Sequence, residues 1–107
     1  MLQLKRHEPF AVELRFSGDP CTCAGIETRF AQNGRTLLCK QKEDLEFDAE
    51  VSTAIVRLSG EETARFDPSL PAWVQSCVLL PDGVRLYSNA EELNVIDVLE
   101  REGRQGP

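Results

Sequence analysis

The sequence is poor in the residues on which enzymatic catalysis most often depends. Its 107 residues include one histidine, His7, which stands between Arg6 and Glu8 in a charged stretch. A general base needs an oriented partner and a pocket, and this stretch offers neither, so His7 is predicted to be solvated. Serine-nucleophile motifs and glycine-rich phosphate loops are also missing. These absences predict that the protein is not an enzyme and that it uses no cofactor.

Long apolar runs and positive charge are equally scarce. No apolar stretch approaches the roughly 20 residues needed to span a bilayer, and residues 1–9 contain no apolar segment typical of a signal peptide. We therefore expect a protein that is cytoplasmic on synthesis and has no membrane partner. Because 18 acidic residues outnumber 12 basic ones, for a net charge of −6, a surface that follows phosphates is disfavoured and nucleic acid is not an expected partner.

The sequence does contain many short segments in which apolar and polar residues alternate, the pattern of strands with one buried face. Asn33-Gly34 separates two such segments, and both residues tolerate the positive φ of a type I′ turn, so a tight hairpin is predicted there. Pro81-Asp82-Gly83 predicts a second hairpin, followed by a bend or bulge at Asn89–Glu92 in the last strand. Alternation predicts further strands at residues 10–16, 45–49 and 54–58.

A capping-box pattern at Ser59-Gly60-Glu61-Glu62 predicts one short helical turn near residues 60–66, after which Phe66 closes one end of the core. About seven short strands, with this turn before the penultimate strand pair, are typical of an all-β, immunoglobulin-like antiparallel β-sandwich. The antibody-type Cys…Trp…Cys spacing is absent, because Trp73 lies four residues before Cys77. A partly open barrel is the alternative fold.

Three regions are expected along the chain. Residues 1–9 are predicted to form a flexible N-terminal arm, with at most a short edge strand at Leu2 and Leu4. Residues 10–99 form a single β-sandwich domain. The polar residues 100–107 form a mobile tail.

Trp73, Cys77 and Leu79 are the candidate binding residues, because they share one face of a predicted strand, opposite Val74 and Ser76. If that face points outward, it is an apolar patch of the kind that marks protein contacts. The alternative is a central strand that is buried on both faces. A carbohydrate-binding sandwich ranks last, because such sites usually show several exposed aromatic residues and this chain has one Trp and one Tyr.

The four cysteines, Cys21, Cys23, Cys39 and Cys77, support an alternative function as a small metal-binding or redox-responsive protein. A four-thiolate site could hold a soft ion, although the single spacer in Cys21-Thr22-Cys23 is atypical of zinc knuckles. The simpler reading is four reduced thiols. A disulfide between Cys39 and Cys77 is conceivable in an oxidising compartment.

Three stretches carry a resemblance to a known class of proteins: TRFAQNGRTL at 28–37, VRLSGEETARFDP at 56–68 and WVQSCVLLPDGV at 73–84. Over residues 24–99 the chain resembles small immunoglobulin-like proteins of phages and prophages of Gram-positive bacteria, which are similar to domains of tail and baseplate proteins. The resemblance implies a structural protein that acts in virion assembly, with phage structural proteins or a second copy of itself as partners and the virion as a possible location. It implies no catalytic residues.

Overall fold

The alternating segments fold into short β-strands that stack as two sheets. A computed structural model describes residues 2–15, 23–48 and 50–97. Within these ranges the chain forms nine strands, one short helix α1 and one 3-10 turn at Lys42–Asp44. The strands are β1 (Leu2–Lys5), β2 (Phe10–Arg15), β3 (Gly25–Gln32), β4 (Arg35–Gln41), β5 (Glu46–Asp48), β6 (Thr53–Leu58), β7 (Ala72–Leu79), β8 (Arg85–Tyr87) and β9 (Glu91–Ile96), with α1 at Gly60–Thr63.

The two sheets differ in width. The larger has six strands in the order β1-β9-β7-β3-β4, with β8 also paired to β7, and the smaller has three in the order β2-β6-β5. Strands β8 and β9 pair with the two ends of β7, at Cys77–Leu79 and Ala72–Val74. The chain is therefore irregular at residues 88–90, within reach of the predicted bend at Asn89–Glu92, but the last strand resumes at Glu91, earlier than predicted. This arrangement confirms the predicted immunoglobulin-like β-sandwich. No helix in the described ranges is long and apolar enough to cross a membrane.

The core lies between the sheets, where the inward faces of β3 and β7 meet those of β2 and β6. Ile26, Phe30 and Val74 are buried in it. Thr28 and Ser76 are buried as well, and their hydroxyl oxygens are 2.9 Å apart in a shared hydrogen bond. Because each hydroxyl satisfies the other, the polar pair avoids the penalty for a buried unsatisfied group and joins β3 to β7.

Both predicted hairpins are confirmed. Asn33 and Gly34 have φ of 53° and 75°, and they join β3 to β4 as a two-residue loop. In the second hairpin, Gly83 has φ of 91° and the Leu80 N–H donates to the Val84 carbonyl at 2.8 Å. Its return strand, β8, is only three residues long.

The capping box and its helix form as predicted. The Ser59 hydroxyl accepts a hydrogen bond from the Glu62 N–H, and the Glu62 carboxylate accepts one from the Ser59 N–H. Phe66, which follows α1, is 1% exposed and meets Phe30 edge to face with ring centroids 6.2 Å apart. The aromatic ring thus closes this end of the sandwich, as the sequence indicated.

The segment that follows α1 is held by one buried amide. The Gln32 side chain donates to the carbonyls of Asp67 and Leu70 at 2.8 and 3.0 Å and accepts from the Asp67 N–H at 2.8 Å. Three hydrogen bonds from one side chain fix the connector against the end of β3 and satisfy three of its backbone groups.

The prediction of a loose arm over residues 1–9 is wrong for its first part. Leu2–Lys5 forms β1, which pairs in parallel with β9, and Leu4 is fully buried. The edge strand indicated by Leu2 and Leu4 is therefore part of the larger sheet. It forms because β9 provides an edge with which β1 can pair and because Leu4 packs into the apolar core. Residues 100–107, predicted as a tail, lie outside the described residues.

Replacing Phe66 with Ala should lower the free energy of unfolding by about 3 to 5 kcal/mol, because it removes a fully buried ring and leaves a cavity beside Phe30. Urea unfolding followed by circular dichroism measures this loss. Phe66→Leu, which keeps much of the volume, should cost clearly less. Equal losses for the two variants would contradict the packing role of the ring.

Replacing Glu62 with Gln should make stability less dependent on pH under acidic conditions. Partial burial acts to raise the pKa of Glu62, but the hydrogen bond from Lys40, at 2.7 Å, and the one from the Ser59 backbone outweigh it, so this pKa lies below its ordinary value of 4.5. A lowered folded-state pKa adds stability above the ordinary value, and this stability is lost as the pH falls through the folded value.

We therefore expect Glu62→Gln to be less stable than the wild type at pH 7, by about 1 kcal/mol or less, and we expect this difference to shrink as the pH falls below the ordinary value of 4.5. Urea unfolding over a series of pH values from neutral to acidic measures the difference. The exposed neighbour Glu61 provides the matched control, Glu61→Gln. A difference between Glu62→Gln and the wild type that does not change with pH would contradict the role of the ion pair.

Candidate functional site

The pleat of β7 sends the three predicted binding residues to the outside of the larger sheet. Val74 and Ser76 face the core, whereas Trp73 is 43% exposed and Cys77 and Leu79 are partly buried. Strand β7 is thus not buried on both faces, and the outward alternative describes the geometry. Whether these residues bind a partner stays a prediction.

Sequence reasoning missed two members of this surface, both on β8. Tyr87 on β8 lies opposite Cys77, and Arg85 lies opposite Leu79, so both point to the same side as Trp73. Tyr87 is 66% exposed. The available signal was side-chain alternation along the return strand, which places Tyr87 on the face opposite that of Val84 and Leu86. We call the set Trp73, Cys77, Leu79, Arg85 and Tyr87 the outer face of β7 and β8.

A polar network on β3 and β4 borders this outer face. Arg29 forms an ion pair with Glu27 at 2.7 Å, and the Gln41 amide donates to the same carboxylate at 3.2 Å. The hydrogen bond that Gln41 donates lowers the pKa of Glu27, and the hydrogen bond and positive charge of Arg29 lower it further. Glu27 and Arg29 line a cleft of about 100 Å³ together with Cys77 and Tyr87, so exposed aromatic area lies beside locally neutralised charge, as in many protein interfaces.

A second concavity opens between the sheets. A groove of about 280 Å³ lies between β2 and the β7–β8 hairpin, with Val12, Leu14, Val78 and Leu86 among its lining residues. Leu86 faces the inner side, opposite Val78, yet it is 53% exposed. Leu86 is exposed because the smaller sheet is narrower than the larger one. Among the described strands, β2 is an edge strand that pairs with β6 alone, and no strand of the smaller sheet covers β8.

The described cysteines are not brought together. Cys23 is buried in the core, Cys39 is exposed on β4, and Cys77 lies on β7. Cys21 is outside the described residues. In the ranges that the structure does describe, no three His, Cys, Asp or Glu residues form a group able to hold a metal ion. The hypothesis of a four-thiolate site therefore gains no support from the three cysteines whose positions are known.

A disulfide between Cys39 and Cys77 conflicts with the sheet order. Cys39 pairs with Arg29 and Cys77 with Glu27, so β3 lies between the two cysteines. Two strand spacings separate them by about 10 Å, whereas bridged cysteines have Cα atoms less than about 7 Å apart. Although Cys39 is exposed, partial desolvation of its thiol and the neighbouring charge of Glu27 raise the pKa of this thiol, which disfavours the thiolate needed for redox reactivity.

The single histidine is placed as the sequence predicted. His7 is exposed in the turn between β1 and β2, where its backbone adopts a left-handed φ of 70°. Its side chain therefore lies in solvent, outside both the groove and the outer face of β7 and β8.

Comparisons with known proteins find similarity to solved structures but not to family models or curated proteins. No protein-family model matches the chain, and no curated protein matches it. Among solved structures, the immunoglobulin-like domain of mouse leukocyte-associated immunoglobulin-like receptor 1, crystallised as a strand-swapped dimer, is similar with a TM-score of 0.53 at 13% identity. The match covers 89% of this chain and 86% of that one. The chain has an immunoglobulin-like fold. At this identity the likeness concerns the fold of the domain alone.

Mild oxidation should not join Cys39 to Cys77 within one folded molecule, because β3 separates them. Peptide mapping of the oxidised protein under non-reducing conditions tests this. The same treatment after unfolding in urea is the control, since the unfolded chain lets the two thiols meet. An in-chain bridge formed readily in the native protein would contradict the strand order.

Proposed function

We propose that this immunoglobulin-like domain is a non-enzymatic module for protein–protein interaction, and that it binds through the outer face of β7 and β8. The observation that carries the proposal is the exposure of Trp73, at 43%, in the middle of a sheet rather than in a loop. A large aromatic side chain held on a rigid strand exposes apolar area to water in the free protein, and a partner that covers this area gains hydrophobic stabilisation.

The neighbours of Trp73 suit an interface. Tyr87 lies farther along the same face, and Trp and Tyr are the residues most enriched at the energetic centres of interfaces. Arg85 adds a donor at the rim, and the Glu27–Arg29 ion pair keeps the adjacent surface locally neutral. A partner surface with an apolar centre and a polar rim would complement this arrangement.

The chemistry of the remaining surface supports a binding role over a catalytic one. The lining of the groove is mainly apolar, and Glu13 and Arg15, which flank it, pair with each other at 3.0 Å. Within the described ranges, His7 stands alone in solvent. A metal-binding or redox role is the alternative function, but the placement of Cys23, Cys39 and Cys77 does not favour it.

The finer proposal is a phage- or prophage-derived structural protein that acts in tail or baseplate assembly and resides in the virion. The resemblance of residues 28–37, 56–68 and 73–84 to such proteins supports it. The partners would be other phage structural proteins or a second copy of the chain. Association through a sheet face fits this role, because repeated assemblies use rigid, preformed surfaces.

Binding should depend on Trp73. We expect Trp73→Thr, which places a residue of high β-propensity on the strand, to weaken binding to phage tail and baseplate proteins by about tenfold or more, as for aromatic residues at interface centres. Biolayer interferometry with the immobilised domain measures the affinities, and thermal unfolding verifies that the variant remains folded.

The matched control is Val51→Thr, because Val51 is 62% exposed but lies outside the outer face, next to β6. It should bind like the wild type. Equal affinities for Trp73→Thr and Val51→Thr would remove the outer face from the proposal. Absence of binding to every tail and baseplate protein tested would overturn the assembly role.

A further inference from the structure

We infer that β1 is exchanged between two copies of this chain, so that β1 of each copy pairs with β9 of the other. The observation behind this inference is the turn between β1 and β2, at residues 6–9, which holds β1 against its own domain in a conformation that its sequence disfavours. Strand exchange concerns the β1–β9 edge, so it is independent of the proposed binding through the outer face of β7 and β8.

The turn contains a strained backbone position. His7 has φ of 70°, in the left-handed region, which every residue other than Gly adopts at some cost in backbone free energy, although His, like Asn and Asp, is found there more often than other residues. Two residues later, Pro9 restricts Glu8 to extended conformations and so favours a straight passage from β1 to β2 over a tight turn. Both residues therefore favour an opened connection.

The turn is also pressed against the first residue of α1. A Cβ atom added to Gly60 would lie 2.8 Å from the His7 carbonyl oxygen, a backbone atom. The closed turn thus fits only because residue 60 is Gly. The Thr63 hydroxyl donates to the Glu8 carbonyl at 2.9 Å and holds the turn in this position.

Everything that β1 contacts can be supplied by a second copy. Leu4 is fully buried in the core, and among the described strands β1 pairs with β9 alone. Arg6 extends this attachment, because its backbone N–H donates to the Ile96 carbonyl at 2.9 Å. Its guanidinium group also donates to the Asp97 carboxylate and to the Ala64 carbonyl, each at 3.0 Å. Residues 2–6 therefore form one unit, and the hinge is His7–Pro9.

Exchange would preserve these contacts and change only the hinge. A straight hinge of three residues spans about 10 Å, which lets two domains face each other across the β1–β9 edge. Because the contacts of β1 are the same in the closed monomer and in the exchanged dimer, the strain in the closed hinge counts in favour of the dimer, and short strained hinges are known to promote such exchange.

A cysteine pair across β1 and β9 tests the exchange directly. Gln3 and Asn94 are exposed register partners, so Gln3→Cys with Asn94→Cys forms a disulfide within one chain in the monomer and between chains in the exchanged dimer. The variant is made with Cys21, Cys39 and Cys77 replaced by Ser, to prevent other bridges. Either single cysteine variant in the same background is the control.

After oxidation of the native protein at high concentration, we expect a covalent dimer on a non-reducing gel, in the same fraction as the dimer measured by light scattering. The single-cysteine controls should give little of it. A noncovalent dimer whose chains each carry an internal bridge would overturn the exchange and point to a different interface.

Two hinge variants provide a readout that does not depend on the added cysteines. His7→Gly relieves the strain in the closed turn and should weaken dimerisation by about tenfold. Gly60→Ala crowds the closed turn and should strengthen dimerisation, although Ala also favours the helix. Light scattering over a dilution series measures both. A monomeric protein at every soluble concentration, with Gly60→Ala also monomeric, would overturn the inference.

Discussion

The pairing of β3 with β7 is the interaction on which the rest of the structure depends. The two strands are matched residue by residue from Gly25–Leu79 to Gln32–Ala72, and the buried hydroxyl pair of Thr28 and Ser76 joins them inside the core. β7 then carries β8 and β9 on its other edge, and β9 carries β1. The end of β3 also holds the segment after α1 through Gln32. Loss of this pairing would separate the edges of the larger sheet.

The unequal width of the two sheets explains the surfaces available for binding. Three strands cannot cover the inner side of six, so Leu86 remains exposed above a groove. The same excess width gives β1 a place at the edge, held by one neighbour and a strained turn. On the outer side of the larger sheet, Trp73 and Tyr87 are exposed. The two proposed modes of association therefore arise from one architectural feature.

Local sequence signals predicted local structure well. Asn33-Gly34, Gly83 and the Ser59–Glu62 capping box each formed as expected, because their conformations depend on residues a few positions apart. The strand β1 was underestimated, since Leu2 and Leu4 alone are too short a pattern to reveal a distant partner. For the candidate site, alternation placed Trp73, Cys77 and Leu79 on one face, but Tyr87 was missed because its membership depends on the register between β7 and β8.

By itself, the sequence determined the strand periodicity and the turn positions, because side-chain alternation and backbone preferences act over short distances. Only the tertiary structure decided which edges remain open, that the outward face of β7 is exposed, and that β3 separates Cys39 from Cys77. These properties depend on strand order and sheet width, which arise from contacts between residues far apart in the chain. The left-handed backbone of His7 also depends on the tertiary structure. The turn closes because β1 pairs with β9 and because Gly60 leaves room for the His7 carbonyl.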